Sequence, residues 1–172
     1  MPRKVRNPAA RERGAAQVPS MMESAMQYPM KPVGVIHSPF TDKASTPIQP
    51  VRSQARGRVE VYPEYQEGLE GLEGFSHIIL LYAFHCSEGY ALRVTPFLDD
   101  QHHGLFATRH PCRPNPIGLS IVRLLRREGN LLEIEGVDVL DQTPLLDIKP
   151  YVPDFDVRAD ARAGWYEQRS KE

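Results

Sequence analysis

From Pro32 onward, short apolar runs broken by Pro, Gly, Asp and Asn recur about every ten residues, the spacing of an all-β domain. Val33–Ile36 is apolar. Arg58–Tyr62 alternates polar with apolar positions, as a half-buried strand does, and Pro63 closes it. Pro63–Leu72 predicts a short helix, with proline in its first turn and acidic side chains at the positive end of its dipole. Ser76–His85 contains the most apolar run, Ile78–Phe84, and its lack of alternation predicts a central strand covered on both faces. Ala91–Thr95 and Leu105–Arg109 predict two short strands. Leu119–Arg126 and Leu131–Glu135 flank Glu128-Gly129-Asn130, a hairpin turn, and Val137–Leu140 and Leu145–Lys149 complete the set.

About seven strands with one or two helical pieces predict a mainly β fold, a small closed or nearly closed β-barrel with short helical segments, since closure removes exposed sheet edges. The fold is expected to be non-Rossmann: helices for βαβ units are missing, and Gly68–Gly74 (GLEGLEG) is not GxGxxG and carries glutamates that would repel a phosphate. Residues 1–30 hold Arg3, Lys4, Arg6, Arg11 and Arg13 without apolar periodicity and read as a disordered basic arm. Residues 31–155 read as the barrel and 156–172 as a tail or short helix.

Composition narrows the class. The 172 residues are 41% hydrophobic and 25% charged with net charge −1, enough for one domain with a real core. No apolar run of about 18 residues and no signal-peptide pattern occur, so a cytoplasmic protein is expected. Cys86 and Cys112 are too few for a disulfide framework and lack zinc-site spacing, so both read as reduced thiols. Near-neutral charge argues against holding nucleic acid by bulk electrostatics and leaves room for a local basic patch.

Two segments carry candidate chemistry. In Phe106–Ser120, Pro111, Pro114 and Pro116 stiffen a loop that holds Arg109, His110, Arg113 and Asn115 as preorganised donors, suited to a carboxylate or phosphate. A rigid structural turn whose arginines pair with acids is the competing reading. In Gly136–Tyr151, alternation places Asp147 and Lys149 on one face and Leu146 and Ile148 toward the core. Asp138 and Asp141 border the preceding corner, where a carboxylate either accepts hydrogen bonds from a ligand or caps the turn. No metal site is expected: His102 and His103 are adjacent and point apart in a strand, and HxH and HExxH are absent. GxSxG is also absent, which weakens a serine hydrolase.

Gly34-Val35-Ile36-His37-Ser38-Pro39-Phe40, Gly71-Leu72-Glu73-Gly74-Phe75-Ser76-His77, the Arg109–Ser120 loop with its Arg-Pro-Asn-Pro-Ile-Gly, and Asp147-Ile148-Lys149-Pro150-Tyr151 occur in that order. Together, over about residues 31–155, they resemble the TrmO family, also called TsaA-like or YaeB-like. The resemblance implies a β-barrel, S-adenosylmethionine-dependent tRNA methyltransferase in place of the usual Rossmann enzyme. It transfers a methyl group to N6 of threonylcarbamoyladenosine next to the anticodon of threonine tRNA, and is a homodimer with the cofactor near the interface.

By the same resemblance, the cofactor pocket involves Gln49, Pro50, His85, Cys86, Arg109, Leu119 and the corner Glu135, Gly136, Val137 and Asp138. Arg109 would take the methionine carboxylate, Leu119 would pack, Asp138 would bond a polar cofactor group, and the backbone at Cys86 and Val137 would meet adenine. Arg113, Asn115, Lys149 and Tyr151 would face the RNA or the reacting nucleotide. Catalytic candidates are Asp138, Asp141, Lys149 and Tyr151, with the base open between Asp138, Asp141 and solvent. Two departures stand out: Gln142 occupies a place where glycine is usual, and Leu92–His103 lacks a Val-Arg-Pro. They motivate an alternative, a barrel that binds S-adenosylmethionine but acts on another acceptor or senses a ligand.

Overall fold

The computed structural model describes residues 28–43, 46 and 53–169. Contacts divide the chain into Met1–Met30 and Lys31–Glu172. In the first unit Tyr28–Met30 are described, exposed and without regular structure; Gln49, Pro50 and the basic arm lie outside the described residues.

In the second unit six antiparallel strands close a barrel in the order β1-β2-β7-β6-β3-β8. They are β1 (Gly34–His37), β2 (Arg56–Val61), β3 (His77–Ala83), β6 (Ile117–Glu128), β7 (Leu131–Glu135) and β8 (Thr143–Pro150). A separate pair, β4 (Arg93–Val94) and β5 (His103–Gly104), forms a small lobe between β3 and β6. Strand period two fills the interior: Ile36, Val59, Val61, Ile78, Leu80, Val122, Leu132, Ile134 and Leu145 are all buried. At roughly 1.5–3 kcal/mol per buried aliphatic side chain, this cylinder is the main source of stability.

The apolar run in β3 does alternate in burial. Ile78, Leu80 and Tyr82 point inward, while Ile79 and Leu81 are half-buried on the outside opposite Ile121 and Leu119 of β6. A barrel has one interior, so a strand with both neighbours paired still keeps an outer face. The result is an apolar outer patch, in which Ile117, Leu119 and Ile121 are about 40% exposed.

Four other elements differ from the sequence pattern. Pro63–Leu72 is a 3-10 helix over Pro63–Leu69 and a second over Leu72–Gly74, interrupted by Gly71 at φ 80°. Leu105–Arg109 is no strand: Leu105–Ala107 is a 3-10 turn, closed by the Thr108 amide and hydroxyl on Leu105 O. Val137–Leu140 is irregular because hydroxyls replace strand partners: Ser53 Oγ donates to Val137 O and Ser38 Oγ to Val139 O, each at 2.6 Å. In β8 a register shift falls opposite Leu81/Tyr82, so Leu145 and Ile148 pack in the core and Leu146 does not keep the inward phase. After β8 come two single-turn helices, α1 (Pro153–Asp156) and α2 (Tyr166–Arg169).

Candidate active site

Tyr82, at the end of β3, pairs with Gly118 of β6, and its ring lies where any Cβ at 118 would stand. That close approach carries the Tyr82 hydroxyl across to Ser120, at 2.9 Å, and Ser120 Oγ donates in turn to Asp138 Oδ1 at 2.6 Å. Since a carboxylate accepts only, the polarity runs Tyr82 to Ser120 to Asp138. Ser120 is buried, and Phe84 packs edge-on to the Tyr82 ring at 5.4 Å. Burial pushes Asp138 up to about 6, against the opposing pull of the Ser120 hydrogen bond, its own backbone amide and the Arg109 charge. Burial and the Asp138 charge push Tyr82 up as well.

Asp141 has the opposite surroundings. Burial, the largest single influence, raises its pKa, but hydrogen bonds from the Gln142 side chain and the Ser38 and Gln142 amides, with the His37 charge, together hold it below the usual carboxylate range. Its Oδ1 accepts from Ser38 N at 3.1 Å and its amide donates to Phe40 O at 2.7 Å, so it latches the segment after β1 to the corner. Gln142 sits at φ 63°, the one positive-φ non-glycine among the described residues. Its Nε2 lies 3.2 Å from Asp141 Oδ2 and 3.1 Å from His37 Nδ1, and His37 Nε2 lies 3.3 Å from Glu60. The place usual for glycine therefore does take a left-handed backbone.

Of the sequence-derived candidates, the chain brings Arg109 and Asp138 together, with the exposed Arg109 side chain acting on Asp138 and Tyr82 through its charge. Arg113 is a brace: its Nη1 donates to Thr108 O at 3.0 Å and to Leu105 O and His110 O at 3.4 Å. Asn115 is exposed, and His85 and Cys86 form an exposed turn after β3 whose Cys86 O accepts from Lys43 at 3.1 Å. Leu119 faces outward from β6. Glu135 lies 3.8 Å from Arg56 and 3.9 Å from Arg123. Gly136 and Val137 are buried, and the Val137 amide and carbonyl are engaged by Ala55 O and Ser53. Lys149 pairs with Asp147 at 2.8 Å, and Tyr151 meets His77 edge-on at 6.3 Å. Both lie toward the start of β3, Lys149 opposite Ile79, whereas the Asp138 chain gathers at its end.

The hydroxyls of Tyr82 and Ser120 were not singled out by sequence. Their signal was a polar-tipped residue at an inward phase on each of two neighbouring strands, visible only once Gly118 is paired with Tyr82. Among the described residues no group of three or more His, Cys, Asp or Glu is placed for a metal, and no helix is long and apolar enough to cross a membrane.

Residues 35–157 match the family model described as the tRNA-methyltransferase O N-terminal domain. A probable S-adenosyl-L-methionine-binding protein of Pyrococcus abyssi is 55% identical over 80% of this chain and 76% of its own length. A tRNA (adenine(37)-N6)-methyltransferase of Mus musculus is 40% identical over 73% of this chain, which spans 31% of that longer protein. The crystal structure of TrmO from Pseudomonas aeruginosa superposes with TM-score 0.69 at 44% identity, covering 81% of this chain and 63% of that one. With its closed barrel and more than half its length matched, the chain belongs to the TrmO family of tRNA methyltransferases.

Proposed function

We propose that the protein is an S-adenosylmethionine-dependent methyltransferase acting on N6 of threonylcarbamoyladenosine beside the anticodon of threonine tRNA. The observation that carries this reading is the Tyr82–Ser120–Asp138 chain with Arg109 beside it. The donor set suits the cofactor: Arg109 offers a guanidinium fork for a carboxylate, the Asp138 corner an acceptor for a polar group, and Phe84, against Tyr82, apolar surface, whereas Leu119 lies on the outer face of β6. When bound, S-adenosylmethionine supplies an electrophilic methyl group on a sulfonium sulfur.

A nitrogen that carries a carbamoyl group is a poor nucleophile, because its lone pair is drawn into the carbonyl. Its proton must leave as it attacks, so the reaction calls for a base. Asp138 fits that duty better than Asp141. With a pKa near 6 it is ionised at neutral pH yet basic enough to take a proton, and Ser120 donates to one of its carboxylate oxygens. Asp141 is the weaker base and is committed to Ser38 and Gln142. Tyr82, held neutral by burial, keeps the Ser120 hydroxyl aimed at Asp138.

In this reading the enzyme works as a homodimer. Ile79, Leu81, Ile117, Leu119 and Ile121 make a cross-strand apolar patch outside the barrel, and a second copy is the partner it suits. A second reading, a barrel that binds the cofactor but serves another acceptor or senses a ligand, rests on Gln142, whose side chain fills the corner beside His37. Nucleoside mass spectrometry separates the two. Threonine tRNA from a strain lacking its own enzyme, incubated with protein and S-adenosylmethionine, gains one methyl on threonylcarbamoyladenosine in the first reading. Cofactor binding by calorimetry with no such gain supports the second.

A further inference from the structure

The lobe of β4, β5 and the Leu105–Ala107 turn has no part in the chemistry assigned to Asp138, yet it is braced from several sides. Leu105 is buried and its amide donates to Leu92 O at 2.9 Å. Arg113 donates to Leu105 O and Thr108 O. From the C-terminal segment, Trp165 Nε1 donates to Ala107 O at 2.7 Å, while its ring stacks on His103 at 4.7 Å, and His103 is anchored on Asp99 at 2.8 Å. Trp165 lies beyond the residues that match the family model, which end at 157.

All of this holds in place a turn whose middle side chain, Phe106, is 76% exposed. Packing does not explain an aromatic ring held out in water on a rigid turn. The Arg113 guanidinium sits 5.6 Å from the ring centroid, which leaves most of the ring open. Arginines flank the turn: Arg109 and Arg113 follow Phe106 on the same loop, and of the lobe's two acids, Asp99 and Asp100, Asp99 is paired with His103. Phe106 is three residues from Arg109, at most about 10 Å along the chain.

We infer that Phe106, backed by Arg113 and locked by Trp165, is a stacking platform for an unpaired nucleobase of the RNA substrate, adjacent to the nucleotide that reacts. Unpaired bases are held on aromatic rings in basic surroundings whatever their sequence, and a rigid ring loses little entropy in doing so. The arginines at 109 and 113, the second on the ring itself, favour a polyanion over a protein partner. The inference rests on reading the protein as a tRNA enzyme and adds where a second nucleotide is gripped.

The test uses the full chain and an anticodon stem-loop RNA with 2-aminopurine beside the target adenosine. Phe106→Ala is expected to weaken stem-loop binding about 5- to 150-fold. It should also abolish the 2-aminopurine quenching seen with wild type, and raise KM for tRNA with kcat and cofactor affinity unchanged. Phe106→Trp restores binding and quenching. Equal affinity and quenching in Phe106→Ala overturn the platform, as does a change in oligomeric state without a change in RNA affinity. If the wild type shows Phe106-dependent quenching but transfers no methyl, the platform stands and the methyltransferase reading falls.

Discussion

Asp138 and Asp141 stand three residues apart on one corner and are driven in opposite directions, one by burial beside a single hydroxyl, the other by a shell of donors. The difference has a thermodynamic signature. In the unfolded chain Asp138 titrates near 3.8 and in the folded protein near 6, so between those values the folded state binds more protons. Stability attributable to this group therefore falls as pH rises from about 4 to 6, and above 6 the full penalty is present, on the order of 3 kcal/mol. Asp138→Asn should be more stable than wild type at pH 7 by up to that amount, with the gain gone below about pH 4, while methyl transfer drops roughly 10²- to 10⁴-fold. Denaturant melts at the two pH values check the first part, and a variant no more stable at pH 7 would contradict it. At Gln142 the left-handed backbone costs about 1 kcal/mol for a non-glycine residue, partly offset by its bonds to Asp141 and His37. Gln142→Gly should be neutral or stabilising by up to about 1 kcal/mol, whereas Gln142→Val should destabilise by more than 1 kcal/mol, read as shifts in denaturant midpoint. The glutamine itself was legible in sequence as a departure. Its conformation was not, since φ follows from the corner that Asp141 and Ser38 build.

Among the elements, the most legible were those whose pattern depends on neighbours in sequence. The alternating β2, the β6–β7 hairpin around Gly129-Asn130 and the outward pair Asp147 and Lys149 all follow from period two and turn chemistry. What failed depended on partners far along the chain. Val137–Leu140 has strand-like composition, yet the hydroxyls of Ser38 and Ser53 take the carbonyls a ladder would use. In the β3 run the sequence shows apolarity and not which face another strand or another molecule covers, so the pattern predicts burial on both faces where the barrel covers one. Gly118 joins these levels, being ordinary in sequence but the place where Tyr82 crosses β6. Gly118→Ala should therefore destabilise the barrel by about 1–3 kcal/mol through overpacking. It should also move the Asp138 limb of the pH profile of transfer to higher pH, because displacing the hydroxyl relay weakens the Ser120 hydrogen bond that lowers the Asp138 pKa. Stability equal to wild type would show that the ring has room to move.

For the whole molecule, closure of the sheet settles where the site and the surfaces fall. The barrel interior is filled, and the Tyr82–Ser120–Asp138 chain lies at one end, where β3 stops. The outer face of β3 and β6 is then the broad apolar surface beside it. If that face joins two copies, light scattering should give a dimer for wild type and a monomer for Ile121→Asp, with the far-UV spectrum kept. A monomeric wild type would contradict the pairing. The barrel class was legible because many short strands without crossover helices have few ways to hide their edges. Of the candidate site, Arg109 and Asp138 stand out in sequence by type, whereas Ser120 and Tyr82, which reach Asp138 across the sheet, do not.

The central claim is that Asp138, tuned by burial and held by Ser120, takes the proton of the acceptor nitrogen. It is tested most directly by the pH dependence of kcat/KM for methyl transfer to threonine tRNA, measured between pH 5 and 8 for wild type and Asp138→Asn. The account predicts a wild-type rate that rises tenfold per pH unit below about 6 and levels off above it, and a variant whose residual rate lacks that limb. A flat wild-type profile, or an Asp138→Asn enzyme that transfers at the wild-type rate, would contradict it.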